Sequence, residues 1–131
     1  MKTEEVFLVE PDESERTELQ SVLESSGLFV KAFASAEAML IHLMRYPTNA
    51  HNGRCVVLNE YQTGIGGLEA LGQVRKLEPE LRVLLISRKT SVDAVLQAWR
   101  SGASNFLVQP FMPKEFVGSS PEFAVNFLRI S

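Results

Sequence analysis

Five short apolar runs, each followed by a stretch of helical periodicity, limit what this chain can fold into more than any other feature of its sequence. The runs are Val6–Val9, Leu28–Phe33, Arg54–Leu58, Leu81–Ile86 and Asn105–Val108. Each has strand length and is bounded by glycine, proline or polar residues. Between them, apolar residues recur at helical spacing. The first helix is expected over Ser14–Ser26, with Leu19, Val22 and Leu23 inward and Gly27 as its cap. Ser35 should cap a second helix reaching Arg45, with a buried stripe of Met39, Leu40, Leu43 and Met44, and Tyr46-Pro47 should end it. Gly64, Gly66 and Gly67 bend the chain into a third helix, Leu68–Leu77. Ser91 should cap a fourth that carries Val92, Val95, Leu96 and Trp99 and closes at Gly102. Pro113 is placed for the first turn of a fifth. Strand–helix alternation of this kind requires a parallel sheet with right-handed crossovers and helices on both faces.

Residues 1–117 are therefore expected to form one domain. Gly118 and Pro121 interrupt the helix begun at Pro113, so 118–131 reads either as an irregular fifth helix or as a non-native tail. The 131 residues suffice for a core without disulfides or metal staples. Cys55, the single cysteine, lies in an apolar strand and reads as a packed thiol. No apolar run approaches the roughly 20 residues of a membrane span. The acidic start Met-Lys-Thr-Glu-Glu does not resemble a secretion signal, so a cytoplasmic location without membrane association is expected. A net charge of −3, without a basic stripe along one helix, gives no footprint for direct nucleic-acid binding by this domain.

In an open parallel sheet, ligands bind at the carboxyl ends of the strands. The residues ending strands one, three, four and five are Glu10, Asn59, Ser87 and Gln109, and they define one candidate pocket. Asn59 closes an unbroken apolar run, Arg54–Leu58, that suits a strand covered on both faces.

With these residues in place, the chain resembles the receiver domains of two-component response regulators, the CheY-like superfamily, over residues 5 to about 117. It is most similar to the nitrogen-fixation and toluene-degradation regulator type. The resemblance rests on Leu8-Val9-Glu10 with its acidic turn, Ser35-Ala-Glu-Ala38, Gly66-Gly67-Leu68-Glu69, Ser101-Gly-Ala103 and Pro110-Phe111. It implies a flavodoxin-like (βα)5 three-layer sandwich with strand order 2-1-3-4-5. It also implies an acid pair after strand one that holds Mg²⁺, a phosphorylated aspartate ending strand three, a Ser/Thr ending strand four and a lysine ending strand five.

Here those positions read Glu10-Pro11, Asn59, Ser87 and Gln109. The Asn59 amide has no anionic oxygen with which to attack phosphorus, so it is the phosphoacceptor equivalent without the competence. Magnesium favours carboxylates in near-octahedral geometry, and with Pro11 and Asn59 in the site, Glu10 and Asp12 alone should bind it weakly or not at all. Gln109 carries no charge to balance a phosphoryl group. Losing carboxylate and lysine together leaves a neutral polar cluster where losing one alone would strand a charge.

Ser87 keeps the family hydroxyl, although a strand-ending serine also bonds local backbone. Phe106 matches the aromatic switch position but equally reads as a strand aromatic packed beside the fourth helix. Pro110 matches a family proline that usually follows a cis peptide. Arg88 and Lys89 read as solvated loop charges that can attract an anion or pair with Glu10 or Glu60. His42 and His51 lack partners at metal-ligand spacing. The glycines after Tyr61 match no nucleotide-binding motif, and neither a nucleophile–base pair nor a metal cluster suggests an enzyme.

The leading expectation is a phosphorylation-independent pseudo-receiver. It would act through a protein partner or a homodimer at a face of helix four, strand five and helix five, including Trp99, Phe106 and Phe116. The alternative is a sensor of a small ligand or anion, with Glu10, Asn59, Ser87, Arg88 and Gln109 lining a neutral-to-cationic pocket.

Overall fold

A computed structural model of the chain describes residues 5–47, 54–62, 64–88 and 91–109. The expected fifth helix, the 118–131 tail, Phe116, Pro110, Lys89 and His51 lie outside the described residues. The elements run β1 (Glu5–Val9), α1 (Glu13–Ser25), β2 (Phe29–Phe33), α2 (Ala36–Arg45), β3 (Arg54–Asn59), α3 (Gly67–Leu77), β4 (Arg82–Ser87), α4 (Val92–Arg100) and β5 (Asn105–Val108). All strand pairs are parallel, in the order β2-β1-β3-β4-β5. This is the flavodoxin-like sandwich expected from the sequence, with four helices among the described residues.

Side chains alternate across the sheet and split the core in two. Phe7, Val9, Val56, Leu58, Val83 and Leu85 meet α2 and α3 on one face, while Val6, Leu8, Val57, Leu84 and Ile86 meet Leu19 and Leu23 of α1 on the other. Each such side chain, fully buried, contributes about 1.5–3 kcal/mol. β3 is buried from Cys55 to Asn59, as befits a central strand covered on both sides.

Local chemistry sets the helix starts. Asp12 caps α1 by accepting from the Glu15 N–H at 2.8 Å, and Ser35 and Ser91 cap α2 and α4 through the N–H groups of Ala38 and Ala94, each at 3.2 Å. Gly27 and Gly102 take φ of 88° and 99°, the left-handed region that favours glycine after a helix.

One expected apolar stripe is corrected. On α2 the buried residues are Ala36, Met39, Leu40 and Leu43, whereas Met44 is exposed. On α4 the buried residues are Ala94 and Ala98, while Val92, Leu96 and Trp99 face outward at 73, 41 and 48% exposure. The small alanines allow close approach to the sheet, and the bulkier stripe is left on the surface.

An unanticipated clamp joins α3 to the β4 and β5 ends of the sheet. The Arg75 guanidinium donates to the carbonyls of Gly102 (2.8 Å) and Leu81 and reaches the Ser104 hydroxyl at 3.4 Å.

Candidate functional site

The carboxyl ends of the strands form a cavity of about 780 Å³ lined by Glu10, Pro11, Asp12, Glu15, Asn59, Glu60, Tyr61, Gln62, Gly66, Ser87 and Arg88. Backbone bonds hold this edge together: Glu10 N–H donates to Phe33 O (3.1 Å), Glu60 N–H to Ile86 O (2.7 Å) and Gln109 N–H to Ser87 O (2.7 Å). The parallel register thus brings Glu10, Asn59 and Ser87 together as expected, and all three are buried.

Asn59 sits at the centre. Its Nδ2 donates to Glu10 Oε1 at 2.6 Å, and its Oδ1 accepts from the Tyr61 N–H at 2.9 Å. The Gln62 side chain donates to the Asn59 backbone carbonyl at 2.7 Å. Both ends of the amide are therefore used, one on the β1–α1 loop and one on the β3–α3 loop.

Glu10, only 2% exposed, uses both carboxylate oxygens, since Oε2 accepts from the Asp12 N–H at 3.0 Å. Arg16 donates to the Glu10 backbone carbonyl at 2.8 Å rather than to the carboxylate. Burial raises the Glu10 pKa above its ordinary 4.5, the bonds from Asp12 and Asn59 oppose that rise, and the negative charges of Glu15 and Asp12 add to it.

The Ser87 hydroxyl donates to Glu60, and the Gln109 amide donates to Glu15. The second contact lay beyond sequence reasoning, because Glu15 reads as an ordinary first-turn acid. Its position three residues after the Asp12 cap was the one available signal. Gln109 joins the site through Glu15 and is not among the cavity-lining residues.

Glu37, also unanticipated, holds the β3–α3 loop by accepting from the Ile65 N–H at 3.2 Å, and a Cβ at Gly64 would collide with its carboxylate. Phe106 is half-buried against the α2–α3–α4 side of the core. His42 packs edge-on to Phe7 at 5.2 Å and close to Tyr46 at 4.9 Å, away from the cavity.

The lining corrects the expected charge of the pocket. Four carboxylates (Glu10, Asp12, Glu15 and Glu60) stand against Arg88 as the one described cation in the lining, so the described lining is acidic rather than neutral-to-cationic.

Nor do these donors fit magnesium. Both Glu10 oxygens and the Asn59 oxygen accept hydrogen bonds from the protein, Pro11 offers no side-chain donor atom, and Asp12 serves as a helix cap. Among the described residues no group of three or more His, Cys, Asp or Glu side chains could hold a metal ion. No described helix is long and apolar enough to cross a membrane.

Comparison with known proteins agrees with the fold. The family described as response regulator receiver domain matches residues 6–119, and the chain belongs to it. It is 32% identical over 112 residues to nodulation protein W of Bradyrhizobium diazoefficiens, covering 86% of this chain and 47% of that protein. It is 30% identical over 115 residues to the C4-dicarboxylate transport transcriptional regulatory protein DctD of Rhizobium meliloti, covering 88% of this chain and 24% of that protein. The chain thus spans less than half the length of these relatives. A CheY-like receiver domain from Methanospirillum hungatei superposes with a TM-score of 0.80 at 15% identity, covering 98% of this chain and 96% of that one, a likeness of fold alone.

Proposed function

We propose that this receiver domain signals without aspartyl phosphorylation, through contact with a protein partner or a second copy of itself. One observation carries the reading: the side chain ending β3 is an amide whose nitrogen and oxygen are both bonded to the protein, at 2.6 and 2.9 Å. A receiver accepts a phosphoryl group on a carboxylate oxygen, and no such oxygen stands there. The poor fit of the described donors to magnesium and the neutral Gln109 support the same reading.

The outward stripe of Val92, Leu96 and Trp99 on α4 supplies an apolar surface for the partner. Because the matched relatives extend well beyond the receiver, control of an output module is the natural role, with any DNA contact made by that module. The acidic lining of the cavity disfavours the alternative of an anion sensor.

The test is incubation with acetyl phosphate, or with beryllofluoride, in the presence of Mg²⁺. Intact mass and Trp99 fluorescence should both stay unchanged. A mass gain of one phosphoryl group on residue 59 or its neighbours overturns the proposal.

A further inference from the structure

We propose that the pocket edge is closed by a ring of hydrogen bonds joined through the backbone that acts as a clasp, coupling the end of β5 to the Asn59 amide across the full width of the site. The links can be followed in order. Glu10 accepts from Asn59 (2.6 Å), and Asn59 is followed in the chain by Glu60, which accepts from the Ser87 hydroxyl. The Ser87 carbonyl accepts from the Gln109 N–H (2.7 Å), and the Gln109 side chain donates to Glu15. The Glu15 N–H donates to Asp12 (2.8 Å), and the Asp12 N–H donates back to Glu10 (3.0 Å).

The ring touches four connections: β1–α1, β3–α3, and the segments leaving β4 and β5. Each side-chain link that crosses between strands has an uncharged donor at a strand end (Asn59, Ser87, Gln109) and a carboxylate acceptor (Glu10, Glu60, Glu15). A carboxylate at 59 could not donate to Glu10. Of the three positions at which this sequence departs from the receiver pattern, Pro11, Asn59 and Gln109, the last two are therefore donors in the ring.

The hydrogen bonds are joined through short stretches of backbone, so a break in one link frees the segment that positions the next. The clasp holds the carboxyl edge in one arrangement without an added ligand. It also provides a path by which a change at the end of β5, beside α4, reaches the Asn59 pocket. This inference deepens the reading above. Its test uses no phosphodonor, so either one can fail while the other stands.

The experiment is amide hydrogen exchange and ¹⁵N-resolved NMR on the whole chain, wild type against Gln109→Ala. The expected result is a remote response: shifted Asn59 side-chain NH₂ and Tyr61 amide signals, with Tyr61 exchange faster by about fivefold, the equivalent of one ordinary hydrogen bond. Glu15→Gln, which keeps an acceptor oxygen for Gln109, should leave Tyr61 near its wild-type rate. Should Gln109→Ala be too unstable to measure, Ser87→Ala opens the ring at another link and must give the same response at Asn59 and Tyr61. Changes confined to the immediate neighbours of the substituted residue, in whichever variant is measured, overturn the clasp.

Discussion

The Asn59 side-chain nitrogen lies 2.6 Å from Glu10 Oε1, and the contact joins two buried groups that start 49 residues apart in the chain. A donor at 59 matches a carboxylate at 10, and the pairing sets what a substitution at either end must do.

Asn59→Asp therefore brings a second carboxylate against Glu10 and removes the donor between them. Two acids at this spacing cannot both stay ionised without cost, so the variant should lose roughly 1–3 kcal/mol at neutral pH and recover part of it as the pair takes up a proton. Urea unfolding at neutral and acidic pH measures both effects. With Pro11 and Gln109 still in place, this variant should gain no robust labelling by acetyl phosphate. Rapid, stable phosphorylation of the single mutant contradicts the account of the site.

Glu10 itself should titrate above 4.5, because burial outweighs the bonds that favour its charged form. The sign follows from linkage: the folded protein binds this proton more tightly than the unfolded chain. Glu10 therefore carries a stability penalty above its folded pKa, and the penalty is relieved as pH falls from there toward 4.5. A ¹³C titration of the Glu10 carboxyl reads the pKa directly, and a midpoint at or below 4.5 rules the effect out.

His42 should act in the opposite sense. Burial lowers its pKa below 6.5, and the positive charges of Lys31 and Arg54 add to this, against a smaller opposing effect of Glu5. The unfolded chain then binds the proton more readily, so the stability contributed by neutral His42 is present above 6.5 and is lost as pH falls through 6.5 to the folded value. His42→Phe keeps a ring beside Phe7 and Tyr46 and should flatten the stability profile just below pH 6.5. An unchanged profile shows that other groups set that slope.

The sheet, its order and the gathering of Glu10, Asn59 and Ser87 were legible because they depend on period-two burial and on the parallel crossovers, both written locally in the sequence. What the α4 stripe meets was not legible for a physical reason: an apolar periodicity fixes the face of a helix but not what that face packs against. Val92, Leu96 and Trp99 suit a core or a partner surface alike, and with Ala94 and Ala98 buried they face outward. Glu15 and Arg75 were illegible in another way. Each is a single charged residue on a helix surface, and its partner (Gln109, or the carbonyls of Leu81 and Gly102) is brought near only by the tertiary fold.

Arg75 is a structural clamp, and its replacement should be costly. Arg75→Ala strands carbonyls in the α3–β4 and α4–β5 turns and should destabilise the fold by about 2–4 kcal/mol. Lysine lacks the planar fork needed to reach Gly102, Leu81 and Ser104 together, so Arg75→Lys should rescue less than half of the loss. Gly102→Ala provides a matched test, since an added Cβ would stand 2.7 Å from Arg75 Nε at a backbone φ of 99°. It should cost about 1–3 kcal/mol by denaturant unfolding, and a neutral result for both Arg75→Ala and Gly102→Ala removes the clamp from the account.

Trp99 gives the partner surface an optical reporter. At 48% exposure its indole is open to solvent in the isolated domain, so its emission should be red-shifted and quenchable by iodide. If the α4 face buries against a second copy, quenching should fall as protein concentration rises. Leu96→Asp, on the same stripe, should abolish that dependence while changing stability by no more than about 0.5 kcal/mol, because Leu96 is a surface residue in the folded domain. A large stability loss in Leu96→Asp would instead place the stripe in the domain's own core. Quenching that is independent of concentration, together with a sedimentation coefficient that stays monomeric, leaves a heterologous protein as the occupant of this face.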